Sequence, residues 1–169
     1  MLEIIIIVVI LVADQITKYI AEALLTPLGF SVPVIEGVFH FTSSHNTGAA
    51  WGILRGGRPF FLILTFFIVL FLAFFLIRGR KKMTLLSRIT LSLLLAGAVG
   101  NAIDRLIFAY VRDFLDFCLI RFPIFNVADS ALTIGCILLI IDVLFMKERS
   151  MFEIRFNLRG SPPDQSDAE

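Results

Sequence analysis

The chain has 169 residues, 58% of them hydrophobic and only 17% charged, with a mean hydropathy of +0.92. Soluble domains average roughly 45–50% apolar and about 25% charged, so this composition points to an integral membrane protein and excludes an ordinary soluble domain. The formal net charge of +1 comes with no basic patch interleaved with aromatics, which argues against nucleic acid as a partner.

A helix needs about 20 apolar residues to cross a bilayer, and the chain offers four such segments. The first runs from about Ile4 to Leu24. It lacks a basic leading region and carries Asp14, Lys18 and Glu22, so it reads as a retained helix, not a cleaved leader. The loop 25–58 is too long for a simple turn. Its Phe39-His40-Phe41-Thr42 alternation, after a turn at Glu36-Gly37, suggests short strands lying on the membrane surface. The second span, about 59–77, has no charged residue and should face lipid. The third covers about 86–107 and the fourth about 127–146. Residues 147–169 form a tail that is polar and disordered towards its end.

Basic residues set orientation. The connection after the second span reads Arg78-Gly79-Arg80-Lys81-Lys82, with Arg88 nearby, and the tail begins Lys147-Glu148-Arg149. The positive-inside rule therefore puts both termini in the cytoplasm and loops 25–58 and 108–126 outside.

Carboxylates in or beside hydrocarbon are costly and tend to be functional. Asp14, Asp104, Asp113 and Asp129 are the candidates. Three spans carry polar residues spaced to share one helix face: Asp14, Thr17 and Lys18; Asn101, Asp104 and Arg105; Asn126, Asp129 and Ser130. At 1.5 Å per residue, Asp14 lies about 15 Å into a core of roughly 30 Å, and all three sets fall in the outer half. Polar glue between helices explains Asp14, Thr17, Lys18 and Asn101 as well as a direct role does. Arg105 sits where it can pair with Asp14 or Asp104. Asp142, near the inner end, is accounted for by interfacial pairing with Lys147 and Arg149.

Two carboxylates forced together in a dry place share a proton near neutral pH, and such a pair can activate water and protonate a leaving group. Asp113, in the short connection between the third and fourth spans, can fold back against Asp129. Spacing does not decide which two of the four candidates pair. No Ser–His–Asp arrangement competes. With two Cys (Cys118 and Cys136) and two His (His40 and His45), a metal site is not expected, and the cysteines read as buried small hydrophobes. A small channel or transporter would want polar residues at every depth, and the inner halves are apolar apart from Asp142. An assembly subunit with structural polar glue is the other reading, and it would tolerate Asp113→Asn.

Five stretches, in order, resemble the lipoprotein signal peptidase (signal peptidase II) family. They are Asp14-Gln15-Ile16-Thr17-Lys18, Asn46-Thr47-Gly48-Ala49-Ala50-Trp51-Gly52, Gly100-Asn101-Ala102-Ile103-Asp104-Arg105, Val111-Arg112-Asp113-Phe114 and Phe125-Asn126-Val127-Ala128-Asp129-Ser130. The resemblance implies an all-α integral membrane fold of four transmembrane helices, with a small extracytoplasmic β-rich cradle in the first outer loop, 25–58. Residues 1–146 would form the peptidase domain. It implies an aspartic endopeptidase of the bacterial cytoplasmic membrane, with its active site near the outer face. Such an enzyme cuts prolipoproteins on the amino side of the diacylglyceryl-modified cysteine. The resemblance maps the catalytic pair onto Asp113 and Asp129. Asn46, Gly48, Asn101, Arg105 and Asn126 would contact substrate or position the pair, and Asp14, Lys18 and Asp104 would form a structural polar core. No cofactor is implied. The expected partners are the lipidated substrates and membrane lipids, and the expected state is a monomer.

Overall fold

A computed structural model describes residues 1–48, 53–54 and 56–145. The tail, Met146, and Ala49, Ala50, Trp51 and Gly52 of the second motif lie outside the described residues. Four helices are long and apolar enough to cross a membrane: α1 (Leu2–Leu24), α2 (Arg58–Gly79), α3 (Leu85–Ile107) and α4 (Val127–Phe145). Local chemistry marks their starts. Pro59 opens α2, where its missing N–H costs nothing. The Thr84 hydroxyl accepts from the Ser87 amide and caps α3 at 3.0 Å. A reciprocal box caps α4: Asn126 Oδ1 accepts from the Asp129 amide at 2.9 Å, and Asp129 Oδ2 accepts from the Asn126 amide at 3.2 Å.

Helix α3 is the hub and packs against the other three. Its small residues allow this. A Cβ on Gly97 would lie 2.5 Å from the Ala128 carbonyl oxygen, and one on Gly100 would lie 2.8 Å from the Asp14 carboxylate. Helix α2 is apolar all round and turns Phe66, Phe67, Phe71 and Ile77 outward, as a lipid-facing helix does.

Strands β1 (Ser31–Ile35), β2 (Phe39–Asn46) and β3 (Val111–Asp116) form one antiparallel sheet in that order. The loop 25–58 alone does not make the cradle, because its third strand comes from the connection between α3 and α4. Two charged residues, Arg112 and Asp113, hide this strand in the sequence. Both are buried in the fold along with Val111 and Phe114. The register sets Ser44 opposite Asp113 and His45 opposite Arg112.

The opposite end of the bundle holds a cluster of Leu72, Leu76, Met83, Leu91 and Leu94. It is not purely apolar. Buried Glu3 pairs with Arg88 at 2.6 Å and Arg80 at 3.1 Å. Asp142 is fully buried and accepts from Ser87 Oγ at 2.8 Å. The partners expected for Asp142, Lys147 and Arg149, lie outside the described residues; among those described, it is held by a hydroxyl of α3. Both cysteines are free, Cys118 half-buried and Cys136 exposed on α4, so neither is the buried hydrophobe expected.

Candidate active site

At the sheet end, the polar triples of α1, α3 and α4 meet strand β3. Asp129 is fixed on the first turn of α4 by the capping box. Asp113 is carried by β3, whose partner Ser44 and the Leu115–Phe125 bridge hold it over α4. Two amides span the gap. Asn126 Nδ2 donates to Asp113 Oδ1 at 2.6 Å and to Asn101 Oδ1 at 3.1 Å. Asn101 Nδ2 donates to Asp129 Oδ1 at 2.7 Å. Lys18 Nζ, fully buried, donates to Asn101 Oδ1 at 3.0 Å and so orients that amide.

Asp113 is 4% exposed, and its pKa is pushed up from 3.8 to about 7. Burial is the main cause and the negative charge of Asp129 the next; hydrogen bonds from Asn126 and Asn46 oppose the shift. Of the four candidate carboxylates, Asp113 and Asp129 are joined through amides.

The other two are joined through cations. Lys18 Nζ lies 2.9 Å from Asp14 Oδ2 and 3.5 Å from Asp104 Oδ2. The Arg112 guanidinium reaches Asp104 Oδ1 at 2.8 Å, and the Arg112 backbone amide reaches Oδ2 at 2.9 Å. Asp14 Oδ1 accepts from the Ala128 amide at 2.9 Å, taking up an N–H freed at the start of α4. Gln15 Nε2 lies within 3.2 Å of both Asp14 and Asp104. Arg112 and Gln15 stand inside the quoted motifs, yet sequence reasoning gave them no role. A cation beside a candidate acid was the signal.

Arg105 departs from expectation. Lys18 and Arg112 already occupy Asp14 and Asp104, so Arg105 turns the other way. Its guanidinium donates to the Gly48 carbonyl at 3.0 Å and stacks over Phe61 at 4.8 Å. Arg58 braces it by donating to the carbonyls of Arg105 and Leu106 at 2.7 and 2.8 Å. Asn46 Oδ1 accepts from the Gly48 amide at 2.9 Å, which shapes the turn after β2.

A cleft of about 620 Å³ opens beside this assembly. Asn46, Gly48, Arg105 and Asp129 form its polar end; Phe117, Phe122 and Ile134 help form its apolar remainder. Such a cleft suits an extended peptide joined to something greasy. Among the described residues, no group of three or more His, Cys, Asp or Glu side chains is placed to hold a metal ion.

Four helices able to span a membrane, a small antiparallel sheet and two amide-bridged acids beside a cleft fit a membrane protein equipped for acid–base chemistry. Comparison with known proteins narrows the class. The family model described as signal peptidase (SPase) II matches residues 6–145, and the chain belongs to that family of aspartic peptidases. A lipoprotein signal peptidase of Brevibacillus brevis is 51% identical over 135 residues, covering 80% of this chain and 89% of the relative. One from Staphylococcus aureus is 46% identical over 144 residues, covering 84% and 87%. A solved bacterial membrane enzyme superposes with a TM-score of 0.78 at 46% identity, covering 84% of this chain and 87% of that one.

Proposed function

We propose that this chain removes the signal peptide of bacterial prolipoproteins, cutting on the amino side of the diacylglyceryl-modified cysteine, with Asp113 and Asp129 as the catalytic pair. The observation that carries the reading is the pair itself: a buried Asp113 and a half-buried Asp129 bridged by Asn101 and Asn126, with the pKa of Asp113 raised to about 7. At neutral pH such a pair shares one proton. The ionised member takes a proton from water, and the resulting hydroxide attacks the scissile carbonyl while the protonated member supports the developing oxyanion. The amine then leaves with a proton from the pair.

Arg105, Asn46 and Gly48, at the polar end of the cleft, satisfy substrate peptide groups that hydrocarbon would leave unpaired. Asn101 and Asn126 position the pair, and Asp14, Lys18 and Asp104 set the helix spacing beneath it. The acyl chains of the substrate stay in the bilayer while the peptide reaches the wet rim. The site faces the outer surface, both termini are cytoplasmic, and the protein acts as a single chain.

Purified protein incubated with a diacylglyceryl-modified prolipoprotein should release the signal peptide; failure to cleave it would sink the assignment. Orientation is tested with single cysteines in a Cys-free background. Ser43→Cys should label from outside and Thr84→Cys only after permeabilisation; the reverse would overturn it.

A further inference from the structure

Asp113 also borders a second cavity, one that shares no lining residue with the cleft. Its volume is about 10 Å³, the space of about one water. Lys18, Glu22, Ser44, His45 and Arg112 stand around it with Asp113. The strand register fixes two of these, with Ser44 opposite Asp113 and His45 opposite Arg112. Beyond the cavity, Glu22 and His45 reach the surface with side chains 35% and 30% exposed. His45 Nε2 is 3.5 Å from Glu22 Oε1. Glu22 is held in place by Tyr110 Oη at 3.2 Å and Arg112 at 3.3 Å, and His45 by stacking on Tyr110 at 3.8 Å.

We propose that this cavity seats one water and that Asp113, this water and the Glu22–His45 pair form a rear proton route to the surface. The proposal rests on the peptidase reading. Hydrolysis breaks the C–N bond and forms a C–O bond, and the oxygen of water enters the new carboxyl group. The pair starts with one proton. The pair takes a second from water and gives one to the amine, which leaves neutral; the new carboxyl group then gives its own proton to the pair and leaves as a carboxylate, so the pair holds two. One must depart before the next turnover. The signal peptide and the lipid-modified cysteine fill the front cleft, so the front is dry at that moment. The rear water accepts the proton from Asp113 and passes it to Glu22 or His45, either of which can hand it to the surface. Lys18 and Arg112 are the charged neighbours on the cavity walls, and both are already engaged by Asp104.

The test is steady-state cleavage of a lipidated prolipoprotein by Glu22→Gln and His45→Gln in weak buffer, then with increasing imidazole as an external proton acceptor. Each variant should lose about 10-fold in kcat with KM unchanged, less than the roughly 10²–10⁴ of a group that transfers the reacting proton itself. Imidazole should restore the loss, and the deuterium-oxide effect on kcat should grow. His40→Gln, on the same strand, should match the unaltered protein. Unchanged kcat in both variants, or a loss that imidazole does not relieve, overturns the route. Absence of cleavage by the unaltered chain would instead overturn the peptidase reading.

Discussion

Two pairs of carboxylates lie within one polar cluster and are treated in opposite ways. Asp14 and Asp104 are paired with the cations Lys18 and Arg112. Asp113 and Asp129 are bound by Asn101, Asn126 and Asn46, whose amides donate hydrogen bonds but bring no charge. The contrast teaches how one membrane pocket holds four acids and ties only two of them to cations. Cations pair with the first two acids, while amides fix the geometry of the second two.

The largest effect expected from breaking this contrast is on turnover. Asp113→Asn and Asp129→Asn should each cost at least about 100-fold in cleavage, since positioned acid–base groups typically contribute about 10²–10⁴. Prolipoprotein processing in membranes, with expression checked, measures it, and near-normal activity in either variant would refute the catalytic assignment. On the other side of the contrast, Lys18→Met strips the charge from a fully buried pair. It should cost about 3–5 kcal/mol, read as a lowered melting temperature in detergent. Full stability would show that Asp14 and Asp104 do not depend on that cation.

The pH dependence sharpens the comparison further. The pKa of Asp113 is raised to about 7, from 3.8 for an ordinary Asp. Its protonated form is favoured in the fold, so its contribution to stability is complete below about pH 4 and is lost as pH rises to about 7. Asp113→Asn lacks this titration. The unaltered protein should therefore melt progressively lower relative to the variant between those pH values, with the gap constant above. Cleavage should fall above about pH 7 as the shared proton is lost. A gap that does not vary with pH would contradict the buried, charge-coupled state of Asp113.

A smaller effect is expected at the edge of the site. Arg105→Lys keeps the charge but loses the planar fork aimed at the Gly48 carbonyl, and should reduce cleavage about 10-fold. Because Arg105 stacks on Phe61 and braces a loop, Arg105→Ala should lower stability by only about 1 kcal/mol, the scale of a cation–π contact. A loss as large as that of Lys18→Met would return Arg105 to the ion-pair role first expected of it. Asp142→Asn should leave cleavage unchanged, since Asn can still accept from Ser87.

The spans were legible because hydrophobic length is a local signal, and the polar triples because helical spacing is fixed by geometry. The partners of the ions were not. Arg105 and Arg112 are both cations beside acids in the sequence, and only packing decides that Arg112 turns towards Asp104 while Arg105 turns towards Gly48. Strand β3 was hidden for a related reason. Its pairing with β2 joins residues nearly 70 positions apart, such as Ser44 and Asp113. Glu3 escaped notice because its partners, Arg80 and Arg88, read as interfacial charge and not as the lock on a buried acid.

The composite sheet has a consequence for biogenesis. Asp113 rides on a strand that is ordered by β2, from the first loop, while Asp129 rides on α4, the fourth of the described helices to be made. Neither acid has its bridging amide in place until Asn101 and Asn126 meet, and that requires α3 and α4 to be side by side. A partly inserted chain therefore has all the sheet's first hairpin but not the amide bridge between its two acids. On the proposed peptidase reading, the newly made protein stays inert towards its neighbours in the membrane until α4 has docked.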